Sequence, residues 1–286
     1  MDQEIRIFKY FPPARTDVLS TGIICFSSPL NLNDPFELKP PVQLFESDGE
    51  MASRVFEKLE LELLSNPPGL PPEMDGKLTH EEYIDLLKDG IRRNLPTFMS
   101  RLAPGIEEGY ARFYSIAEER IGILCLTESP DDLLMWAHYA AAHTGFVVEF
   151  DPKHPFFDQR RSNVDELRHL RRVVYSSERP TLTLSTAKDL SALLTKSIHW
   201  GYENEWRMMV DLNDASEVKI IGSNRYHLFD FPRASIRSVI LGCRMDDETK
   251  MEIHQALNGF DGTRPTILQC EVNKKMFRLD FGEIKS

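Results

Sequence analysis

One segment, residues 121–152, constrains the fold more than any other part of the chain. Its apolar run IGILCLT has the length and composition of a buried strand. Ser129 then suits a helix N-cap, Pro130 suits the first helical position, and the helix is predicted to run towards Gly145. The run FVVEF follows at once and predicts another strand. The segment therefore predicts a strand, a helix and a strand in succession, within a domain that mixes both kinds of element.

The same alternation continues on both sides of this segment. Gly22 is a natural stop for one helical turn at residues 16–21, and Thr79 with Glu82 forms the pattern of a capping box. The helix from Thr79 is expected to stop before Pro96, because proline has no backbone N–H to donate. Further strands are predicted at residues 5–11, 22–27, 171–177, 206–212, 237–243, 266–272 and 275–281, and further helices at 51–65, 106–119, 186–199 and 246–259.

These elements predict an α+β fold with a mixed or antiparallel sheet core. Residues 40–118 are mainly helical in pattern, so they are predicted to be a helical insertion or cap within one domain that spans residues 1–286. The remaining core of about 200 residues has a usual single-domain size.

The charge balance narrows the expected partners. The chain has 34 Lys and Arg against 45 Asp and Glu, a formal net charge of −11. This balance argues against a broad, charge-driven grip on nucleic acid or anionic lipid, although it leaves room for a local basic patch. No run of about 18 apolar residues predicts a membrane-spanning helix, and the charged start MDQEIRIFKYFPP does not resemble a signal peptide. A cytoplasmic protein without membrane contact is therefore expected.

The cysteines indicate neither disulfides nor a metal site. Cys25, Cys125, Cys243 and Cys270 are scattered, and two lie inside apolar runs, as small buried hydrophobic residues do. The sequence contains no C-x-x-C and no H-E-x-x-H pattern, and a structural zinc ion needs four ligands. No metal ion is therefore expected.

Residues 26–37, FSSPLNLNDPFE, form the first of three polar constellations. Ser27 and Ser28 follow a predicted buried strand, and a turn then presents Asn33 and Asp34. Hydroxyl and carboxamide groups at a strand end can hold ribose or phosphate oxygens. The alternative is a self-capped loop, since Asn and Asp often bond their own backbone.

The second constellation is the predicted helix LMWAHYA. At helical spacing Trp136 and Ala140 share one side, whereas Met135, His138 and Tyr139 share another. The methionine and the aromatic residues are most simply core residues. His138 is the candidate for chemistry, as a general base or a phosphate ligand, because histidine titrates near neutral pH.

The third constellation is KSIHWGYENEWR, residues 196–207. Glu203 and Glu205 stand at the entry of a predicted strand, where a period of two places them on one face. Such a pair can divide its protonation, one carboxylate acting as a base and the other as an orienting group. The alternative is a surface strand whose glutamates pair with Lys196 and Arg207. Three aromatic residues accompany the glutamates: Trp200, Tyr202 and Trp206.

Arginines are concentrated in residues 160–172, beside Asp165 and Glu166. Because the guanidinium group matches phosphate geometry, this stretch is a candidate phosphate-binding face. The alternative is a solvated helix face whose charges offset one another.

Taken in order, FSSPLNLNDPFE, LMWAHYAAAHTGFVVEFD, KSIHWGYENEWR and SVILGCRM resemble an uncharacterised bacterial family of unknown function. The resemblance spans about residues 5–245, and residues 40–118 are its least similar part. Members of that family are often encoded near mobile elements or phage-defence genes. The resemblance implies a bacterial, cytosolic protein, but it does not itself supply an activity.

The start FKYFPPARTDVLSTGIICFSS is also similar to the opening of ADP-ribosyltransferase-like domains. In those domains a His, Arg or Tyr on the first strand precedes a short helix, a Gly and a second strand. A Glu-x-Glu motif stands at the head of a later strand, as Glu203-Asn204-Glu205 does here. The similarity implies an ADP-ribosyltransferase fold for the sheet core and NAD as the substrate.

This similarity assigns roles residue by residue. Tyr10, or Lys9, takes the first-strand position. Glu205 binds the nicotinamide ribose and stabilises an oxocarbenium-like transition state, while Glu203 orients the acceptor. The expected catalytic residues are Tyr10, His138, Glu203 and Glu205, and the expected NAD-binding residues are Lys9, Ser27, Ser28, Asn33, Asp34, Trp136, Tyr139, Trp200, Tyr202 and Arg207.

The expected function is therefore that of an NAD-dependent ADP-ribosyltransferase-like protein, a phage-defence or toxin effector with a protein or nucleic acid as acceptor. Two alternatives stay open. A non-catalytic module would sense a nucleotide or a phage protein through the LMWAHYA helix and the Arg-rich stretch. A metal-dependent nuclease would use His138 with Glu149 or Glu205 as metal or base groups.

Overall fold

The computed structural model of the protein describes residues 5–41, 48–181, 190–260 and 263–284. Helices and strands are both present throughout these ranges. In chain order they are β1 (Ile7–Phe11), α1 (Asp17–Thr21), β2 (Ile23–Phe26), α2 (Asp48–Ser65), α3 (His80–Arg120), β3 (Ile121–Thr127), α4 (Leu133–Tyr139), β4 (Phe146–Phe150), β5 (Arg171–Arg172), β6 (Val174–Ser176), β7 (Thr195–Ser197), β8 (Glu205–Asp211), β9 (Glu217–Ile221), β10 (Asn224–Asp230), β11 (Ile236–Leu241), α5 (Asp247–Asn258), β12 (Thr266–Val272) and β13 (Leu279–Glu283).

The main sheet has eight strands in the order β13-β12-β11-β4-β1-β3-β8-β5. Strands β11 and β12 run parallel, and the other neighbours are antiparallel. A second sheet has the order β2-β10-β9, and β6 pairs with β7 in a parallel two-stranded ribbon. The predicted α+β fold with a mixed sheet is therefore confirmed.

Both faces of the main sheet are covered. Alternate residues of β1 point to opposite sides, so Ile7 and Phe11 belong to one buried cluster and Phe8 and Tyr10 to another. The first cluster also contains residues of α1, α5 and the second sheet: Val18, Leu19, Ile253, Leu257, Ile24, Phe26 and Phe229. The second contains Met135, Trp136 and Ala140 from α4 and the turn after it. Burial on both faces fixes the register of the central strands.

The chain divides into two compact units. The first consists of residues 1–39, 117–179 and 190–286, and the second of residues 40–116 and 180–189. The second unit contains α2 and most of α3, joined by an ion pair of 3.1 Å between Lys88 and Glu60. The single domain with a helical insertion at residues 40–118 stays a prediction. No helix of the described ranges has the length and apolarity to cross a membrane.

Most predicted elements are present where the sequence placed them. Gly22 ends α1 in the left-handed conformation at φ 68°, where an added Cβ would lie 2.9 Å from the Phe231 carbonyl oxygen. The capping box at Thr79 is formed, since Glu82 accepts from the Thr79 amide at 2.7 Å and Thr79 accepts from the Glu82 amide at 3.2 Å.

The predicted end of the second helix is wrong. Helix α3 continues from His80 to Arg120 and contains both Pro96 and Pro104, so the helix predicted at 106–119 is part of it. Each proline removes one backbone hydrogen bond. Ending the helix and starting another would instead leave several backbone groups unsatisfied at each new terminus.

The predicted bounds of α4 are also wrong at both ends. Asp132, not Ser129, is the N-cap, and its carboxylate accepts from the amides of Leu134 and Met135 at 2.9 Å each. The helix ends at Tyr139 rather than near Gly145. The turn that follows holds Ala141, Ala142 and His143 at positive φ, which ends the helical conformation.

The helix predicted at residues 186–199 falls partly outside the described residues, and its described part is wrong. Residues Leu190–Leu194 form a short 3-10 helix, β7 follows, and a second 3-10 helix covers Ile198–Glu203. Strand β7 forms because Lys196 pairs with Tyr175 of β6 and is buried among carboxylates. The strand predicted at 275–281 begins only at Leu279, and the hairpin of β9 and β10 was not predicted.

Candidate active site

A cleft opens where β1 and β3 separate. The two strands share a single registered pair, Phe8 with Thr127, whereas β1 pairs with β4 from Ile7 to Phe11 and β3 pairs with β8 along its whole length. Beyond that pair, Ser27 bridges to Ile123 of β3. The gap holds a cavity of about 510 Å³, which is within the range of small-molecule sites.

The cleft is lined by residues from β1, β3, α4, the loop after β2 and the segment from β7 to β8. They are Phe8, Lys9, Tyr10, Pro12, Ser27, Asn31, Leu32, Asn33, Asp34, Glu37, Cys125, Leu126, Thr127, Met135, His138, Tyr139, Ala141, Lys196, Trp200, Glu203 and Glu205. Polar and apolar groups alternate around this wall, as in sites that bind an amphipathic small molecule.

Lys196 stands at the centre of a buried charge cluster. Its ammonium nitrogen lies 2.6 Å from a Glu203 oxygen, 3.1 Å from a Glu205 oxygen and 3.5 Å from a Glu37 oxygen. The four side chains are between 3% and 6% exposed. The same nitrogen lies 5.0 Å from the centroid of the Trp200 ring. One buried cation therefore orients three carboxylates and an aromatic ring.

Arg207 completes the cluster from behind the cleft wall. Its Nε donates to Glu205 Oε1 at 2.7 Å and its Nη2 donates to Glu205 Oε2 at 2.9 Å, a bidentate pair. Nη2 also contacts Glu37, and Nη1 donates to the Leu193 carbonyl at 3.0 Å. With three carboxylates and two cations, the cluster keeps an excess of one negative charge when all five groups are ionised.

The two glutamates meet on Lys196 through a left-handed residue. Glu203 ends a 3-10 helix, Asn204 follows at φ 42°, and Glu205 is the first residue of β8. Asparagine tolerates this conformation better than most residues. The Asn204 amide donates to the Ser129 hydroxyl at 2.9 Å, which holds the turn against the end of β3. The carboxylates therefore converge without sharing the regular strand face that the sequence pattern predicted.

Burial and ion pairing oppose each other at Glu205. Burial raises the pKa of the Glu205 carboxyl, while Lys196 lowers it. Burial lowers the pKa of the Arg207 guanidinium to about 9, which leaves it protonated at neutral pH. Burial also raises the pKa of the neighbouring Cys125 thiol, and the Glu205 charge raises it further. Cys125 is therefore a neutral wall residue near neutral pH.

The opposite wall comes from β1. Lys9 donates to the Cys125 carbonyl at 3.1 Å, and burial lowers the pKa of its ammonium group. The Tyr10 hydroxyl donates to the Ser129 carbonyl at 2.7 Å, and burial raises the pKa of this phenol. Tyr10 is thus held as a neutral donor to the protein backbone.

Helix α4 supplies one side to the cleft and the other to the core. Met135, His138 and Tyr139 line the cleft, whereas Trp136 and Ala140 are fully buried, the division that helical spacing predicted. The Tyr139 hydroxyl donates to Glu203 Oε1 at 2.7 Å. Burial, followed by the charge of Glu203, raises the pKa of the Tyr139 phenol. Glu203 is thus bound from two directions, by Tyr139 and by Lys196.

The structure brings ten of the sequence-predicted site residues to one cleft: Lys9, Tyr10, Ser27, Asn33, Asp34, His138, Tyr139, Trp200, Glu203 and Glu205. Four others lie elsewhere. The Ser28 hydroxyl donates to the Glu118 carbonyl at 2.7 Å, the Trp136 indole donates to the Pro130 carbonyl at 2.8 Å, Tyr202 faces a neighbouring cavity, and Arg207 is fully buried behind Glu205.

Self-capping is present in the loop after β2. Asp34 accepts from the Phe36 amide at 2.9 Å, and Ser28 accepts from the Leu30 amide at 3.3 Å. The same loop carries Glu37, a cluster member that sequence reasoning did not select. Lys196 was considered only as a surface partner of the glutamates. The predicted pairing of the glutamates with Lys196 and Arg207 is present, but it is buried rather than exposed.

The Arg-rich stretch forms neither a helix nor an open cationic face. Most of its arginines pair with nearby carboxylates: Arg160 with Asp158, Arg161 and Arg168 with Asp214, Arg171 with Glu166, and Arg172 with Glu128. The alternative of offset charges holds, although the stretch is irregular rather than helical. A bound phosphate would compete with these carboxylates.

Glu149 does not accompany His138 in the cleft. Its carboxylate accepts from Arg6 at 2.8 and 2.9 Å and from the Ser238 hydroxyl at 2.6 Å. Among the described residues, no group of three or more His, Cys, Asp or Glu side chains is arranged to hold a metal ion.

Comparison with known proteins connects part of the site to a family. No curated protein sequence and no solved structure matches the chain. The stretch from Met135 on α4 to Met208 on β8 does match a family, and it includes Tyr139, Lys196, Glu203 and Glu205 of the cleft. Residues 135–208 are similar to an uncharacterised family described as a protein of unknown function (DUF2971).

Proposed function

We propose that the protein is an NAD-dependent ADP-ribosyltransferase-like enzyme. The observation that carries the proposal is the convergence of Glu203 and Glu205 on the cleft between β1 and β3, with Lys9 and Tyr10 on the facing strand. This places the Glu-x-Glu pair and the first-strand residues around one cavity large enough for part of a dinucleotide.

Glu205 is the group suited to the bond-breaking step. Loss of nicotinamide from NAD develops positive charge on the ribose, and a fixed carboxylate stabilises that charge most strongly in a site that excludes water. The bidentate pair with Arg207 fixes the orientation of Glu205. Lys196 and Arg207 also keep it ionised against the effect of burial. The excess negative charge of the cluster favours a substrate that becomes cationic.

The other cleft residues supply binding groups. Lys9 and the amides of Asn31 and Asn33 are donors for ribose or phosphate oxygens. Trp200, whose ring already stacks near the Lys196 ammonium, offers a face for the nicotinamide ring. Glu203, held by Tyr139 and Lys196, is placed to orient the acceptor beside Glu205.

Incubation of the purified protein with NAD carrying a label on the adenylate, in the presence of cell extract, tests the proposal. We expect release of nicotinamide and transfer of label to an acceptor. Glu205→Gln should reduce both by about 10²- to 10³-fold, the usual effect of losing one electrostatic stabiliser of a transition state. Glu166→Gln, which alters an exposed carboxylate paired with Arg171, is the matched control and should leave both unchanged. Equal activity of the Glu205 variant and the control would refute the proposal.

A second candidate is a nucleotide-sensing module that binds without turnover. The observation that favours it is that both Glu205 oxygens already accept hydrogen bonds from Arg207 and that the side chain is 3% exposed. Thermal-shift and nicotinamide-release measurements on the same sample separate the two functions. Stabilisation by NAD with no nicotinamide release, in the presence of extract, would support the sensor. The expected role in phage defence stays a prediction.

A further inference from the structure

The hairpin between β12 and β13 carries a basic loop with an exposed aromatic residue. We call residues 273–278, NKKMFR, the basic hairpin. Asn273 orders it: its side-chain oxygen accepts from the amides of Lys275 and Met276 at 2.8 Å each, and its amide donates to Asp280 at 2.6 Å. The loop is therefore a preformed turn.

A cavity of about 390 Å³ lies against the basic hairpin. Four cationic side chains line it and no carboxylate does: Arg244, Lys274, Lys275 and Arg278. Arg278 pairs with Asp280 at 3.1 Å. Within the part of the chain that the structure describes, Arg244, Lys274 and Lys275 have no carboxylate partner. In a chain of net charge −11, this concentration of unpaired positive charge favours an anionic ligand.

Phe277 projects from the hairpin with its side chain fully exposed, at 103%. Its neighbours Met276 and Val272 are 60% and 68% exposed, and all three line the same cavity. An exposed apolar group of this kind marks an interaction surface more often than a structural one. A planar ring beside unpaired cations can stack on another planar ring while the cations contact its charged groups.

A second cavity, of about 450 Å³, lies on the other side of the same side chains and shares Leu133, Phe277 and Arg278 with the first. It also contains Tyr202, a second aromatic residue. Its carboxylates, Asp131 and Asp132, would repel phosphate. The two cavities together can hold successive planar groups, with the charged groups of the ligand on the side of Arg244.

We propose that the basic hairpin and the cavity beside it bind single-stranded nucleic acid, with Phe277 stacked on a base and Arg244, Lys274 and Lys275 on phosphates. A cavity of about 390 Å³ accommodates one nucleotide, and the shared wall at Phe277 leads to room for the next. An anionic membrane is the less suitable partner, because the cations line a concave site rather than a flat surface. The proposal does not depend on NAD chemistry.

Fluorescence anisotropy with a labelled 12-nucleotide strand of deoxythymidine tests the binding. We expect saturable binding by the full chain that weakens as salt increases, because bound cations displace counterions from the phosphates. Phe277→Ala should weaken binding by about 5- to 150-fold, the usual effect of removing one stacking ring. The double substitution Lys274→Ala and Lys275→Ala should weaken binding and reduce the salt slope by about one unit.

Matched controls lie on β9, whose residues are exposed. Ile220→Ala removes an apolar side chain that is 68% exposed, and Lys219→Ala removes a lysine that is 54% exposed. Both controls should bind the strand as the wild type does. Three results would overturn the proposal: no binding by the wild type, equal losses in the controls, or Phe277-dependent binding to phosphatidylserine vesicles without binding to the strand. Competition by AMP as strong as competition by unlabelled strand would also overturn it, in favour of a mononucleotide site.

Discussion

Lys196 donates a hydrogen bond of 2.6 Å to Glu203, seven residues further along the chain, and both side chains are buried. The bond spans the end of β7, a 3-10 helix and the left-handed residue Asn204. Because the same ammonium group also reaches Glu205 at 3.1 Å, one side chain sets the spacing of the two carboxylates. The conformation of the whole segment is thus tied to the geometry of the cleft.

Loss of the Lys196 charge should destabilise the fold. In Lys196→Met, Glu203 would lose a cation partner while buried beside Glu205, and breaking a buried ion pair from one side typically costs about 3–5 kcal/mol. Chemical denaturation followed by circular dichroism measures the difference. Lys250→Met, which alters an exposed pair with Asp247, should change the free energy of unfolding by less than about 1 kcal/mol. A Lys196 variant as stable as this control would show that the cluster does not support the fold.

Removal of the Tyr139 hydroxyl should separate the two steps of the proposed reaction. Tyr139→Phe deletes the donor to Glu203 at 2.7 Å and leaves Glu205 with its own partners. We expect nicotinamide release to persist and transfer to the acceptor to fall. Stability should decrease by about 1 kcal/mol, the usual net value of one hydrogen bond.

Tyr226→Phe on β10 is the matched control, since it also removes one phenolic hydroxyl but lies outside the cleft. It should leave both steps unchanged. An equal fall of nicotinamide release and transfer in Tyr139→Phe would contradict the separate role of Glu203.

The sequence predicted the elements that carry strong local signals. Gly22 after α1, the capping box at Thr79 and the apolar run of β3 each specify a conformation through nearby residues alone. The exceptions depend on distant contacts. Residues 190–199 have helical periodicity, but Lys196 is required as a partner for Glu203 and Glu205 in the folded chain. A strand position there satisfies charges that a single-sequence pattern cannot relate to one another.

The site was predictable in its residues more than in its geometry. Glu203 and Glu205 were selected by their spacing, and Tyr139 and His138 by their helix. Glu37 was not selected, because nothing in its neighbourhood indicates that it meets Arg207, which is 170 residues away in the chain. The positive φ of Asn204 could not be predicted either, since asparagine adopts it only where tertiary contacts require it.

Gly145 should be sensitive to the smallest substitution. A Cβ at this position would lie 2.1 Å from the Phe11 carbonyl oxygen, where β4 begins beside the end of β1. In Gly145→Ala the backbone must shift, and overpacking of this kind costs about 1–3 kcal/mol. Thermal unfolding of Gly145→Ala should therefore begin at a lower temperature than that of the wild type.

Gly201→Ala is the control for this substitution, because a Cβ at Gly201 meets no atom within 4 Å. We expect it to leave stability unchanged or to raise it slightly through the unfolded chain. Similar melting temperatures for the two variants would mean that the close approach of β4 to Phe11 is easily relieved.

The ion pair between Arg6 and Glu149 should contribute stability that disappears in acid. Burial raises the pKa of Glu149, but hydrogen bonds from Arg6 and Ser238, with the nearby charge of Arg237, lower it below its ordinary value of 4.5. The folded protein therefore binds fewer protons at this site than the unfolded chain does. The contribution is fully present above pH 4.5 and is lost as the pH falls through the lowered pKa of the folded state.

Urea denaturation of the wild type and of Arg6→Met between pH 3 and pH 7 measures this contribution. The stability advantage of the wild type should be constant near neutral pH and should shrink as the pH falls below about 4.5, since protonated Glu149 no longer attracts Arg6. Arg278→Met, whose partner Asp280 is half exposed, controls for the loss of one positive charge from the chain. An advantage that grows towards low pH would reverse the sign of the argument and show that Glu149 is protonated in the folded protein.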